Sequence, residues 1–237
     1  SLVSGSAPVD MGDLWRVLGG EGSGLARSVV LELRLPRAVA AFATGGLLAV
    51  AGALMQVLLR NPLADPYVLG ISGGAAVAAL LLIMLGVGGL LLAGGAFAGA
   101  LGSMALVFGL ARGRGEWSPS RLLLTGVVIA AGWGAVISFL LTLAPQAGVQ
   151  GMLFWLMGDL SHPPAPWPAL AVLAAGTAGA LALARPLNVL VHGELQAAAL
   201  GVDVTRLRGS VYLLASLLTA VAVTQAGSIG FVGLIVP

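Results

Sequence analysis

Twenty-two uncharged residues, Ala38 to Leu59, lie between Leu33-Arg34-Leu35-Pro36-Arg37 and Arg60-Asn61-Pro62-Leu63-Ala64-Asp65-Pro66. As a helix rising ~1.5 Å per residue the stretch reaches ~33 Å, enough to cross a hydrocarbon core of about 30 Å. The rest of the chain repeats the theme, with 59% hydrophobic and 8% charged residues and a mean hydropathy of +1.05. A soluble domain carries ~25% charged residues, so this surface cannot be solvated by water. The chain reads as an all-α polytopic membrane protein. Glycine supplies 36 of the 237 residues, and in lipid small residues let helix backbones approach closely.

Composition also excludes several chemistries. There is no cysteine, and the two histidines, His162 and His192, fall in different loops, so no metal set forms. All eleven basic residues are arginine. Without lysine there is no Walker A phosphate loop, and Gly19-Gly20-Glu21-Gly22-Ser23-Gly24 leads to no strand–loop–helix context. A net charge of +2, thinly spread, does not suit nucleic acid. No cluster of His, Asp, Glu or Cys near an interface points to a membrane enzyme.

Uncharged stretches predict six spans, at about 38–59, 67–85, 90–110, 122–144, 167–184 and 210–226. Gly86-Val87-Gly88-Gly89 divides the second from the third. Arginines occur in connections 60–66 (Arg60), 111–121 (Arg112, Arg114, Arg121) and 185–209 (Arg185, Arg206, Arg208), and none in 86–89 or 145–166. The positive-inside trend makes the first set cytoplasmic. Residues 1–37 are then outside, 185–209 form a long cytoplasmic loop, and 227–237 begin a further part. Arg16, Arg27, Arg34 and Arg37 oppose that trend and need a reason to be outside.

Arg34 and Arg37 are three apart around Pro36, which suits the first turn of a helix. Snorkelling would account for one arginine at a helix end, and two on the disfavoured face favour a function. Gln56, deep in its span, needs a hydrogen-bond partner and therefore faces protein or a pathway. Trp133 lies mid-span rather than in an interfacial belt, with packing against lipid as the equal alternative. Gly193-Glu194-Leu195-Gln196-Ala197-Ala198-Ala199-Leu200-Gly201 reads as a short helix with a carboxylate at its favoured end. No charged residue lies inside a predicted span, which disfavours the rival reading, an ion-coupled secondary transporter.

Several motifs occur in one order: the Leu33–Arg37 segment, Gly52-Ala53-Leu54-Met55-Gln56, Asn61-Pro62-Leu63-Ala64-Asp65-Pro66 and Leu69-Gly70-Ile71-Ser72-Gly73-Gly74-Ala75. They continue with Ser120-Arg121-Leu122-Leu123-Leu124-Thr125-Gly126, Phe154-Trp155-Leu156-Met157-Gly158, Gly193-Glu194 with Leu200-Gly201, and Gly227-Ser228-Ile229-Gly230-Phe231-Val232-Gly233. In this series the chain resembles the permease subunits of ABC importers for iron–siderophore complexes, haem and cobalamin.

The resemblance implies about ten spans per subunit. This chain, which starts at Ser1 and stops at Pro237 after an apolar run, then corresponds to the second through seventh. It further implies that Arg34 and Arg37 receive carboxylates of an extracytoplasmic binding protein. Asn61 and Leu63 would form a cytoplasmic gate with Ser118, Pro119 and Ser120. Thr125, Gly126, Trp133 and Ser138, with Gln56, would line the path. Gly193, Glu194, Leu195, Leu200 and Gly201 would couple to an ATPase. The implied partners are a second permease copy, two ATP-binding subunits, the binding protein and the bilayer of a bacterial-type inner membrane. ATP and magnesium would sit on the ATPase, with no cofactor or metal on this chain.

Overall fold

The computed structural model describes residues 10–20, 24–112, 119–161 and 165–237, and among them there is no strand. The elements are α1 (Met11–Leu18), α2 (Gly24–Ser28), a π-helical turn (Val29–Arg34), α3 (Leu35–Leu59), a 3-10 turn (Pro66–Leu69) and α4 (Ile71–Met84). They continue as α5 (Gly89–Arg112), α6 (Pro119–Leu143), α7 (Gln146–Met157), α8 (Pro166–Val191), α9 (Glu194–Ala199), α10 (Val204–Ala226) and α11 (Val232–Ile235). Among the described residues five helical stretches are long and apolar enough to cross a membrane: Ala26–Leu59, Gly89–Arg112, Ser120–Leu143, Pro166–Val191 and Val204–Ala226.

The first of these starts well before residue 38. Pro36 stands in the first turn of α3, as expected, but α3 continues directly from α2 and the π-helical turn. The proline therefore has no N–H to donate within a continuous helix, and its ring crowds the carbonyl four residues back. The π-turn just ahead of it, with the Leu35 N–H reaching back to the Val30 carbonyl, widens the helix there. α8 likewise runs on through Pro186 to Val191, past the expected end near 184. Buried Leu187 and Leu190 hold the turn after the proline. The connection to α10 therefore shortens from 185–209 to residues 192–203, with α9 inside it.

The expected span at 67–85 differs most. Its helix, α4, has only 14 residues, ~21 Å, and irregular backbone makes up the rest of the crossing. Arg60 ends α3 in the left-handed region at φ 48°, and the chain then climbs back beside α3. Pro66 packs on Gly233, whose carbonyl lies against Gly52, seven residues (~10 Å) above the end of α3. The Ser103 hydroxyl donates to the Gly70 carbonyl at 2.8 Å, nine residues above the end of α5. Non-helical backbone at this depth is tolerated only where protein covers it and satisfies its polar groups. Side chains do part of that work. The Asn61 carboxamide oxygen accepts the Leu63 N–H at 2.9 Å, and the Asp65 carboxylate accepts the Tyr67 N–H at 2.8 Å.

Small residues set the closest approaches. A Cβ on Gly74 would lie 2.5 Å from the Gly99 carbonyl, and one on Gly99 2.4 Å from the Gly74 carbonyl, so α4 and α5 meet backbone to backbone. α10 is the enclosed centre: Val211, Tyr212, Leu218, Ala222 and Val223 are buried. It is tied to α5 by the Tyr212 hydroxyl donating to the Met104 carbonyl at 3.0 Å and by stacking on Phe108.

Candidate functional site

The arginine-bearing connections converge on one face. The Arg60 guanidinium donates to the Leu190 carbonyl at 3.1 Å and lies 3.6 Å from the Glu194 carboxylate. Arg208, from the first turns of α10, pairs with the same carboxylate oxygen. Arg112 sits over the Phe108 ring and lines one pocket with Thr205, Arg206 and Gly209. The ends of α3, α5, α8 and α10 thus share one pole, as the arginine distribution requires. At the opposite pole the Asp159 N–H donates to the Ala226 carbonyl at 2.9 Å.

On the arginine face α9 lies across the bundle end. Buried Ala197 is its inner anchor, and Leu195 (89% exposed) and Leu200 (72%) point away from the protein. Gly193 at φ +131° and Gly201 at φ +81° bracket it, conformations that side-chain-bearing residues rarely adopt. Leu195, Leu200, Gly193 and Gly201 therefore form a compact, projecting element, while Glu194 turns inward to two arginines.

The gate candidates lie beside it. Gln56, Arg60, Asn61 and Pro62 line an open pocket of about 440 Å³ with Ala53 and Val191. Leu63 is exposed, and the Asn61 side chain is engaged in its own turn. Ser118 lies outside the described residues. Pro119 opens α6 and Ser120, in its first turn, is exposed. α6 meets the climbing segment where Gly126 leaves room for the Val68 carbonyl, 2.7 Å from where a Cβ would stand.

The path candidates divide. Gln56 donates to the Leu234 carbonyl at 3.2 Å, the partner its depth demanded. Trp133 packs on Gly73 and gives its indole N–H to the Ser103 hydroxyl at 2.8 Å, which binds it to α4 and α5. Ser138 donates to the Gly134 carbonyl of its own helix and is exposed, and Thr125 is half-exposed. At the other pole Arg34 ends the π-turn, half-buried, and Arg37 is exposed in the first turn of α3.

Two residues escaped the sequence reading. Ser103 is the only hydroxyl in α5, and a lone polar atom in an apolar span is a signal that it serves a neighbour. Arg208 served only to orient the chain, yet its side chain is 8% exposed, and a buried guanidinium requires a partner. Among the described residues no group of His, Cys, Asp or Glu is arranged to hold a metal ion.

Comparison with known proteins adds a consistent set. Residues 1–237 match the FecCD transport family. The chain is 43% identical over 217 residues to the cobalamin import system permease protein BtuC of Halobacterium salinarum, covering 90% of this chain and 58% of that protein. It is 38% identical over 218 residues to the uncharacterized ABC transporter permease protein YvrB of Bacillus subtilis, covering 89% and 62%. With the hemin transport system permease protein HmuU of Yersinia pestis it shares 38% over 217 residues, covering 87% and 64%. A solved chain described as a metal-chelate type ABC transporter in an inward-facing conformation superposes with a TM-score of 0.76 at 30% identity, covering 90% of this chain and 69% of that one. The chain therefore spans about three fifths of the length of these curated relatives.

Proposed function

Since the chain belongs to the FecCD transport family and is a multi-pass membrane protein, we propose that it is the membrane-spanning part of an ABC importer permease. Its cargo is a metal chelate, with ferric siderophore, haem or cobalamin as the class, moved inward across a bacterial-type inner membrane. ATP hydrolysis, with its magnesium, belongs to two partner subunits seated against α9. A second permease copy completes the pathway, and an extracytoplasmic binding protein docks at Arg34 and Arg37.

The observation that carries this reading is α9. A six-residue helix, bracketed by glycines and presenting exposed Leu195 and Leu200 on the arginine-rich face, suits a groove on a cytoplasmic partner. The apolar spans support the same reading, because a bulky chelate needs a passage without charged binding groups. Guanidinium pairs at the far pole suit carboxylates on a soluble protein, giving orientation and encounter rate more than raw affinity.

The test is uptake into proteoliposomes containing the full-length permease, its ATPase and its binding protein, with radiolabelled cobalamin, haem and a ferric siderophore offered separately. Uptake of one of them that requires ATP inside the ATPase compartment supports the proposal. Uptake that persists without ATP and collapses with a proton or sodium ionophore would establish the secondary carrier instead.

A further inference from the structure

The three charges at the cytoplasmic pole come from three separate parts of the chain. Arg60 follows α3 and starts the Asn61-Pro62-Leu63 segment, Glu194 is the first residue of α9, and Arg208 belongs to α10. Both arginines reach the same carboxylate oxygen of Glu194. The Arg208 side chain is 8% exposed and that of Glu194 44%, so this is a sheltered pair with a second cation at its rim. A half-sheltered, hydrogen-bonded charge pair is much stronger than a solvated one. Arg60 is held from a second side by the Leu190 carbonyl, in the last turn of α8.

The remaining contacts of α9 are weak. Ala197 is its only buried side chain, and the flanking glycines resist rotation little. Without the carboxylate, α9 could tilt on its glycines and leave the helix ends unmoved. With it, displacement of α9 pulls directly on the residue that opens the 61–63 segment.

We propose that Glu194 is a positioning residue that ties α9 to Arg60 and Arg208, so that movement of α9 is passed to the Asn61–Leu63 segment within this chain, and that its carboxylate is not a docking group for the ATPase. The inference rests on the reading of α9 as the ATPase contact and of Leu63 as part of the gate.

Residues 1–237 contain no cysteine, so Leu63→Cys supplies a probe at an exposed position that is read on its own peptide. The experiment uses the full-length permease assembled with its ATPase. It measures N-ethylmaleimide labelling of residue 63, read by mass on its peptide, in nucleotide-free and ATP–orthovanadate-trapped complexes. In the parent the labelling rate changes by about tenfold on trapping. Arg60→Met and Glu194→Gln each reduce that response to about twofold, and the double variant goes no lower than the worse single, a coupling of the size typical between linked sites. Both variants still co-purify with the ATPase.

Three results would overturn the tie. One is a full nucleotide response in both single variants. Another is independent, multiplying losses in the double variant. The third is loss of the ATPase from Glu194→Gln but not from Arg60→Met, which would make the carboxylate a docking group. A parent that shows no nucleotide response would remove the gate reading, and the tie with it, since there would be no movement to pass on.

Discussion

α6 and α10 are both membrane-length helices, and they are opposite in placement. The most apolar stretch of α6 has a mean hydropathy of 2.1 and is 11% buried, whereas that of α10 has a mean hydropathy of 1.5 and is 61% buried. In water the more apolar helix would take the centre. In lipid the ordering reverses, because hydrocarbon solvates Leu and Val as well as protein does, and close packing and internal hydrogen bonds decide what is enclosed. α10 carries Arg208, Tyr212, Ser216, Thr219 and Thr224. The Thr219 and Thr224 hydroxyls donate to carbonyls four residues back, at 2.7 and 2.8 Å. α6 shows Leu124, Val127, Val128, Val136 and Phe139 on its open face, available to lipid, a second copy or the pathway.

Substitutions sharpen this contrast when ranked by expected cost. The largest is in α10. Leu218 is fully buried and packs on Gly176, so Leu218→Ala removes contacts that nothing replaces and costs about 3 kcal/mol. A lowered melting midpoint of the purified permease in detergent is the check, and an unchanged midpoint would break the picture of α10 as the enclosed helix. Next comes the hydrogen-bonded attachment of α6 to α5. Trp133→Phe keeps the ring on Gly73 but loses the hydrogen bond to Ser103, at about 1 kcal/mol. Ser103→Ala should cost more, about 2 kcal/mol, because it also takes the partner of the Gly70 carbonyl. The double variant should cost less than the sum, which a double-mutant cycle on the same midpoint measures. The smallest effect belongs to the open face: Val128→Ala should shift stability by less than about 0.5 kcal/mol. A shift as large as that of Leu218→Ala would mean that the α6 face is buried in the purified protein.

The sequence made the bundle legible where charge and proline frame an uncharged run. Arg60-Asn61-Pro62 marks the end of α3, and the arginine-bearing connections meet at one pole. It did not reveal that α4 is short, because hydropathy counts apolar side chains and is blind to backbone conformation. Pro66 and Gly70 break the helix while Tyr67, Val68 and Leu69 keep the run apolar. Nor did it show α8 continuing past Pro186, since one missing donor costs less than the buried packing of Leu187 and Leu190 supplies. At the site, Gln56 announced its need for a partner by depth alone. The inward turn of Glu194 could not be read, because Arg208 is 14 residues away and Arg60 follows α3, far back in the chain, and only the fold brings them together.

The central claim is that this chain works between a binding protein at the Arg37 pole and an ATPase at the α9 pole. The direct measurement is ATP turnover in liposomes of the full-length permease assembled with its ATPase, with and without binding protein, comparing the parent with Arg34→Glu/Arg37→Glu. The account predicts that the binding protein stimulates turnover in the parent and that the stimulation is lost when both arginines are reversed, with assembly intact. Equal stimulation in both would reduce the arginine pair to helix-end anchors, and failure of any ATPase to assemble with the permease would contradict the account.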